Sequence, residues 1–405
     1  MTASAPRSIL PPLSVAEQEH SRRLAELMQQ ELVAAGGWLP FERFMELALY
    51  APGLGYYSAG SAKLGAGGDF VTAPEVSDLF SRCIARQCAE VLAHAGGEIL
   101  ELGAGTGRMA GAVLTELAAQ NLLPERYAIL EVSADLAERQ RERLMRLPGA
   151  LRERLVWLER LPQRPLHGVM LANEVADALP FRRFRFGAGG VAELGVVLDA
   201  SSGPSAARTT VPISFTEAEA AADASLTRAC DEILMSLPEP LPAGYTSEVC
   251  VRVAPWIASL GACLARGLLL LCDYGLPRRH YYHQQRGSGT LRCHYKQLAH
   301  DDPYINLGVQ DITAWVDFTR AADAALAAGL EVKGFATQAA FLLGCRIEQL
   351  VAQAGEGIER ARLAGEARRL IMPGEMGEAF KMMALTRGLD IPLAGFALQD
   401  LRHLL

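Results

Sequence analysis

Three glycines at alternate positions in the run Glu98–Arg108, Glu-Ile-Leu-Glu-Leu-Gly-Ala-Gly-Thr-Gly-Arg, constrain this chain more than any other feature. Ile99, Leu100 and Leu102 predict a buried strand, and residues 109–120 predict the helix after it. Between them Gly103, Gly105 and Gly107 let the backbone turn sharply and approach a ligand closely, which a Cβ would block. At the carboxyl end of a parallel strand, such a turn is where open α/β sheets bind nucleotides.

Two glycine-rich patterns compete here. The dinucleotide fingerprint G-x-G-x-x-G sets a pyrophosphate on a helix N-terminus. This chain has G-x-G-x-G, with Glu101 two residues before the first glycine. A carboxylate there repels a pyrophosphate and attracts an ammonium, so S-adenosylmethionine fits better than a dinucleotide. Taken alone, a glycine turn is also an ordinary structural loop. A second apolar strand, Tyr127-Ala128-Ile129-Leu130, ends in Glu131, where an acid can accept both ribose hydroxyls of a nucleoside. The cofactor set read from this pattern is Glu101, Gly103, Ala104, Gly105, Gly107, Glu131 and the adjoining Val132.

With 405 residues, half of them hydrophobic, the chain can bury a large core. Its net charge of −7 argues against a nucleic-acid-binding surface. No apolar run reaches the length of a membrane span, and residues 1–13 lack the apolar core of a secretory signal. The eight cysteines form no C-x-x-C pair and several sit in apolar runs, so a reducing cytoplasm is the expected location.

Along the chain, residues 15–35 predict a helix with Ser14 as its cap, and 40–50 predict a second. Residues 76–94 form a helix feeding the first strand. A helix follows at 136–147, then strands at 156–158 and 168–172, the latter ending in Asn173-Glu174. Alternation at Phe184, Phe186, Val191 and Val196 predicts an inserted β-ribbon over 184–212, followed by helices at 217–237 and 252–266. A fifth strand covers 268–272, and 276–318 reads as a long polar loop. A helix at 320–328 and strands at 332–336 and 380–386 complete the series. The expected fold class is α/β, a Rossmann-like seven-stranded sheet. Its divisions are a helical cap (1–75), the first half of the core (76–183), an insertion (184–247) and the second half (248–405).

With these motifs in view, the chain resembles the MidA-type family, bacterial relatives of a mitochondrial complex I assembly methyltransferase. The resemblance rests on GDFVTAPE ending at Glu75, ELGAGTG (101–107), NEVADALP (173–180), LLLLCDYG (268–275) and GTLRCHYKQLAHDDP (289–303). It implies a class I S-adenosylmethionine-dependent methyltransferase whose mitochondrial relative methylates an arginine of a complex I subunit. A protein acceptor, such as a respiratory complex subunit, is the implied partner, and a homodimer is a separate expectation that the resemblance does not carry. Val175-Ala176 stand where the family usually has aromatics, and Ala104 and Thr106 stand where it often has Pro and Arg.

Methyl transfer from a sulfonium is an in-line displacement, so such an enzyme chiefly supplies orientation and a dry pocket. Arginine is a poor nucleophile, because its guanidinium stays protonated and its lone pairs are delocalised. A pair of carboxylates can grip it in fork geometry. Glu174 and Asp177, with Asn173 beside them and the cofactor, are the candidates. Alternatively, Asp177 caps the turn before Pro180 and Glu174 is merely solvated. Asp69, Thr72 and Glu75 either fold over the cofactor or, for Thr72 and Glu75, form a helix capping box. His280, His283, His294 and His300 match no compact ligand spacing, so no metal is expected. Three functions stay open: a protein arginine methyltransferase, a small-molecule methyltransferase, and a cofactor-binding assembly factor without catalysis.

Overall fold

The apolar runs that the sequence marks out as strands assemble side by side in one sheet. The computed structural model describes residues 10–59, 72–187, 189–199 and 213–405. It divides into two units: Val71–Asp177 with Arg252–Tyr281 and Trp315–Leu405, and Met1–Phe70 with Ala178–Val251 and Tyr282–Ala314.

The first of these units carries the sheet. Its elements in chain order include α1 (Asp78–Ala95), β1 (Glu98–Leu102), α2 (Arg108–Ala119), β2 (Tyr127–Leu130), α3 (Ala134–Leu144), β3 (Leu155–Leu158), β4 (Leu166–Asn173), β5 (Leu264–Leu276), α4 (Phe318–Ala327), β6 (Glu331–Thr337) and β7 (Phe380–Arg387), with further helices such as Val253–Cys263 and Ile358–Ile371 in the same unit. Hydrogen bonding orders the strands β6-β7-β5-β4-β1-β2-β3, with a two-residue strand, Val316–Asp317, pairing off the end of β5. Strands β1 to β5 run parallel, whereas β7 is antiparallel to both β5 and β6. Parallel strands buried on both faces read as continuous apolar runs, and β4 and β5 follow that rule through Val169–Ala172 and Leu268–Cys272. Helix α1 buries Leu79, Phe80, Cys83, Ile84 and Val91 in the core shared with β1, β4 and β5. Each such side chain contributes roughly 1.5–3 kcal/mol by leaving water. The chain goes outward from β1 to β3, then returns to lay β4 on the other side of β1. That reversal is the switch point at which sheets of this kind hold ligands.

The second unit is organised around an antiparallel sheet. Gly190–Leu198 is flanked by Arg182–Gly187 on one side and pairs with Leu39–Pro40 and Phe215–Ala221; Thr246–Val249 completes the sheet beyond Arg182–Gly187. Helix Val15–Ala34 starts at a capping box between Ser14 and Glu17, and helix Phe41–Tyr50 buries Phe41, Phe44 and Met45 against Phe181 and Phe215. The expected ribbon is present in Arg182–Gly187 and Gly190–Leu198, while 200–212 of its expected span lie outside the described residues.

Two expectations fail in this unit. Residues 217–221 are strand, and the helix predicted over 217–237 begins only at Ala224. Glutamate and alanine favour helix locally, but Arg183 and Arg185 on the neighbouring ribbon draw Glu217 and Glu219 into ion pairs across the sheet. The stretch 276–318 is not a long loop. It holds a three-stranded antiparallel sheet of Leu298–His300, Arg292–Tyr295 and Asp311–Thr313, with Cys293 and Tyr295 buried. Strands of three or four residues give too short an alternation to stand out among so many polar residues.

Backbone crowding at the amino ends of β4 and β5 generates a stability prediction. Gly168 (φ 122°) and Gly267 (φ 141°) are register partners, and a Cβ on Gly267 would overlap the carbonyl oxygen of Gly168. Gly267→Ala is expected to cost at least about 1–3 kcal/mol and lower the midpoint of thermal unfolding by several degrees. An unchanged midpoint in calorimetry would show that the strands can separate there freely.

Candidate active site

The carboxyl ends of β1, β2, β4 and β5 bring together most of the residues singled out from sequence. Leaving β1, the chain passes through Gly103, Gly105 and Gly107 at φ 62°, 53° and 78°, the left-handed region where glycine alone is unstrained. Gly107 then caps the start of α2. Gly103 N–H donates to Leu130 O at 3.0 Å, which pins the turn to the end of β2.

Beneath this turn lies Glu101, 1% exposed, accepting a hydrogen bond from the Tyr127 hydroxyl at 2.7 Å. Burial pushes its carboxyl up to about 7, the Tyr127 bond pulls the other way, and the charge of Glu131 adds to the rise. Glu131, at the end of β2, is also raised by burial, offset by hydrogen bonds from Ser133 N–H (2.9 Å) and Gln140 Nε2 (2.9 Å). The same Gln140 amide donates to Gly105 O at 3.0 Å, while Trp157 Nε1 donates to Gln140 Oε1 at 3.0 Å. Gln140 therefore ties the acid of β2 to the glycine turn. Val132 projects beside this acid, 75% exposed, and Ala104 is buried within the turn.

At the end of β4 the backbone reverses. Glu174 takes φ 54°, an uncommon conformation for a residue with a side chain, and strain of this kind gathers at functional sites. Its Oε1 accepts from Ala73 N–H (3.3 Å) and Asn173 Nδ2 (3.2 Å). Asp177 accepts a short hydrogen bond from the Tyr274 hydroxyl. A Cβ placed on Gly103 would lie 3.6 Å from Val175 Cγ2, so this reversal sits directly against the glycine turn. Behind it, Asp273 at the end of β5 is 2% exposed.

Thr72 and Glu75 do not form the capping box that their spacing permits. Thr72 stands at the N-cap of the short helix Ala73–Val76 without a side-chain cap bond. Glu75 instead accepts a short hydrogen bond from Thr106 in the glycine turn, with Arg143 and Arg108 at 3.7 and 3.8 Å. The arginines outcompete a weak local cap, and Glu75 buttresses the turn. Asp69 lies outside the described residues. Among the described residues no group of three or more His, Cys, Asp or Glu is arranged to hold a metal ion.

Tyr127, Gln140, Trp157, Asp273 and Tyr274 were not singled out from sequence. Asp273 carries a legible signal, an acid directly after the run Leu268–Cys272. Gln140 carries none, because its partners come from a different turn and strand.

The residues fit S-adenosylmethionine. Asn173 Oδ1 is buried with no hydrogen-bond partner among the described residues, an acceptor suited to an N–H donor. The five acids at one end of the sheet, Glu101, Glu131, Glu174, Asp177 and Asp273, suit a ligand with an ammonium, a sulfonium and a ribose diol, and they oppose a pyrophosphate.

Fold and site together define a nucleoside-binding α/β protein of the methyltransferase class. Residues 83–336 match the model of an S-adenosyl-L-methionine-dependent methyltransferase family, and the chain belongs to that family. A solved COG1565 superfamily member from Burkholderia thailandensis, bound to S-adenosyl-homocysteine, is 38% identical, with a TM-score of 0.89 over 98% of this chain and 100% of that one. The Drosophila melanogaster protein named "Protein arginine methyltransferase NDUFAF7 homolog, mitochondrial" is 28% identical, covering 95% of this chain and 90% of its own length. The Mus musculus protein arginine methyltransferase NDUFAF7 is 27% identical over 87% of this chain and 82% of its own length. No helix among the described residues is long and apolar enough to cross a membrane.

The raised carboxyl of Glu101 has a definite sign. A folded-state value of about 7, above the ordinary 4.5, stabilises the ligand-free fold fully below pH 4.5. That contribution, on the order of 3 kcal/mol, is lost as pH rises through about 7. Thermal unfolding from pH 5 to 8 should therefore show the wild type losing stability relative to Glu101→Gln. A wild type that gains on the variant across this window would contradict the assignment.

Proposed function

We propose that this methyltransferase places its methyl group on an arginine of a protein. The observation that carries the reading is the placement of Glu174 and Asp177 on one backbone reversal at the end of β4, against the glycine turn. The names of the curated relatives support it.

S-adenosylmethionine, when bound, supplies a methyl group on an electrophilic sulfonium. Glu131 would accept its ribose hydroxyls, Val132 would offer an apolar face to its base, and Glu101 and Asn173 would face its amino-acid end. Glu174 and Asp177 would accept guanidinium N–H bonds in fork geometry and orient one nitrogen for in-line attack. Their charge also answers a specific difficulty. A guanidinium beside a sulfonium is repelled by on the order of 4 kcal/mol for unit charges 4 Å apart, and two carboxylates offset this. We extend the proposal to a respiratory complex subunit as acceptor. Seven of the eight cysteines are buried, as small apolar side chains of a reducing location such as the cytoplasm would be.

Two substitutions separate the roles. Glu131→Ala removes charged hydrogen bonds worth roughly 1.5–3 kcal/mol each, so calorimetry should show S-adenosylmethionine binding at least tenfold weaker. An unchanged dissociation constant would place the ribose elsewhere. Glu174→Gln keeps the shape and loses the charge. It should bind cofactor within a few-fold of wild type, yet fail to label protein in lysate of a deletion strain supplied with tritiated S-adenosylmethionine. Full labelling by Glu174→Gln would remove the carboxylate's role. Label confined to metabolites, with no methylarginine after acid hydrolysis of the protein, would identify a small-molecule methyltransferase.

A further inference from the structure

Asp273 is a buried acid that the transfer scheme above does not use. It stands toward the carboxyl end of β5, which β4 separates from β1. Its Oδ2 accepts three successive backbone N–H groups: Val175 at 3.2 Å, Ala176 at 2.9 Å and Asp177 at 3.3 Å. Its Oδ1 accepts from Tyr274 N–H at 3.0 Å. The next residue, Tyr274, gives its hydroxyl to Asp177 and rests edge-on against Phe380, with ring centroids 5.5 Å apart. Glu174 N–H itself donates to Cys272 O of β5 at 2.8 Å, so the reversal that holds Glu174 at φ 54° is fastened from β5 at five points, four backbone amides and one side chain. One carboxylate oxygen receiving three consecutive amides fixes the path of those residues, because all three must point at a single atom.

Burial of Asp273 has a clear electrostatic cost. Desolvation and the neighbouring charges of Asp177 and Glu174 push its carboxyl well above the usual range, while the amide bonds pull the other way. Apolar burial would have been easier to accommodate at this position, so a polar acceptor here serves the reversal.

We propose that Asp273 and Tyr274 are positioning residues for methyl transfer: Asp273 sets the path of 174–177, and Tyr274 aims the carboxylate of Asp177 at the acceptor. The inference rests on the assignment of Glu174 and Asp177 to the acceptor, and it holds whether that acceptor is protein or small. What Asp273 contributes is an acceptor oxygen, so asparagine, which keeps one, should substitute for it, whereas alanine should not.

The test uses the full-length enzyme with tritiated S-adenosylmethionine and lysate of a deletion strain, counting protein and low-molecular-weight fractions separately. Asp273→Ala should lower the maximal rate at least tenfold, with the KM for S-adenosylmethionine and its calorimetric affinity within about threefold. Asp273→Asn should restore the rate to within about threefold of wild type. Tyr274→Phe, which leaves the three amide bonds in place, should lose several-fold in kcat with the same unchanged KM, and it carries the test if Asp273→Ala does not fold. Asp273→Asn as inactive as Asp273→Ala would mean that the charge itself acts in the chemistry, overturning the positioning role. Full activity in Asp273→Ala or Tyr274→Phe would overturn it as well. Label found only in the low-molecular-weight fraction would refute the protein acceptor and leave this pattern readable there.

Discussion

The parallel pairing of β1 between β2 and β4 is the constraint on which the site depends. Leu102 is in register with Leu130 on one side and Ala172 on the other, so all three strands end at the same level. The residues that follow, the glycine turn, Glu131 and Asn173-Glu174, are delivered to one edge by register alone. A shift of one residue in either pairing would turn every side chain on that strand to the opposite face. The apolar content of these strands therefore fixes the geometry of the polar groups beyond them.

Those polar groups are mostly acids, and each is held by a partner supplied from a different element. Tyr127 of β2 holds Glu101 of β1, Gln140 of α3 holds Glu131 of β2, and Tyr274 of β5 holds Asp177 beyond β4. Burial raises the carboxyls of Glu101, Glu131 and Asp273 together. A concentration of reluctant negative charge is a poor environment for phosphate and a favourable one for cations. Such a setting opposes the pyrophosphate of a dinucleotide and accords with the S-adenosylmethionine of the family, which carries an ammonium and a sulfonium.

Much of the sheet was legible because buried parallel strands are written as uninterrupted apolar runs, as in Leu268–Cys272 and Ile99–Leu102. The glycine turn and Glu131 were legible for a related reason, since each directly follows such a run. What could not be read depends on contacts between distant segments. Glu217 and Glu219 lie in a strand because arginines on a neighbouring ribbon pair with them, against their local preference for helix. Glu75 spends its carboxylate on Thr106, 31 residues away, so its local spacing to Thr72 misled. The three-stranded sheet within 276–318 is built from strands too short to show a period. Gln140 and Tyr274 acquire their meaning only when helix and strand ends converge.

A crystal structure of this enzyme with S-adenosyl-homocysteine measures the central claim most directly. The ribose hydroxyls should lie within about 3 Å of the Glu131 carboxylate, and the sulfur should face the reversal at Glu174 and Asp177. A ribose bound away from Glu131, or a sulfur turned away from the end of β4, would contradict both the cofactor assignment of these acids and the acceptor role of that reversal.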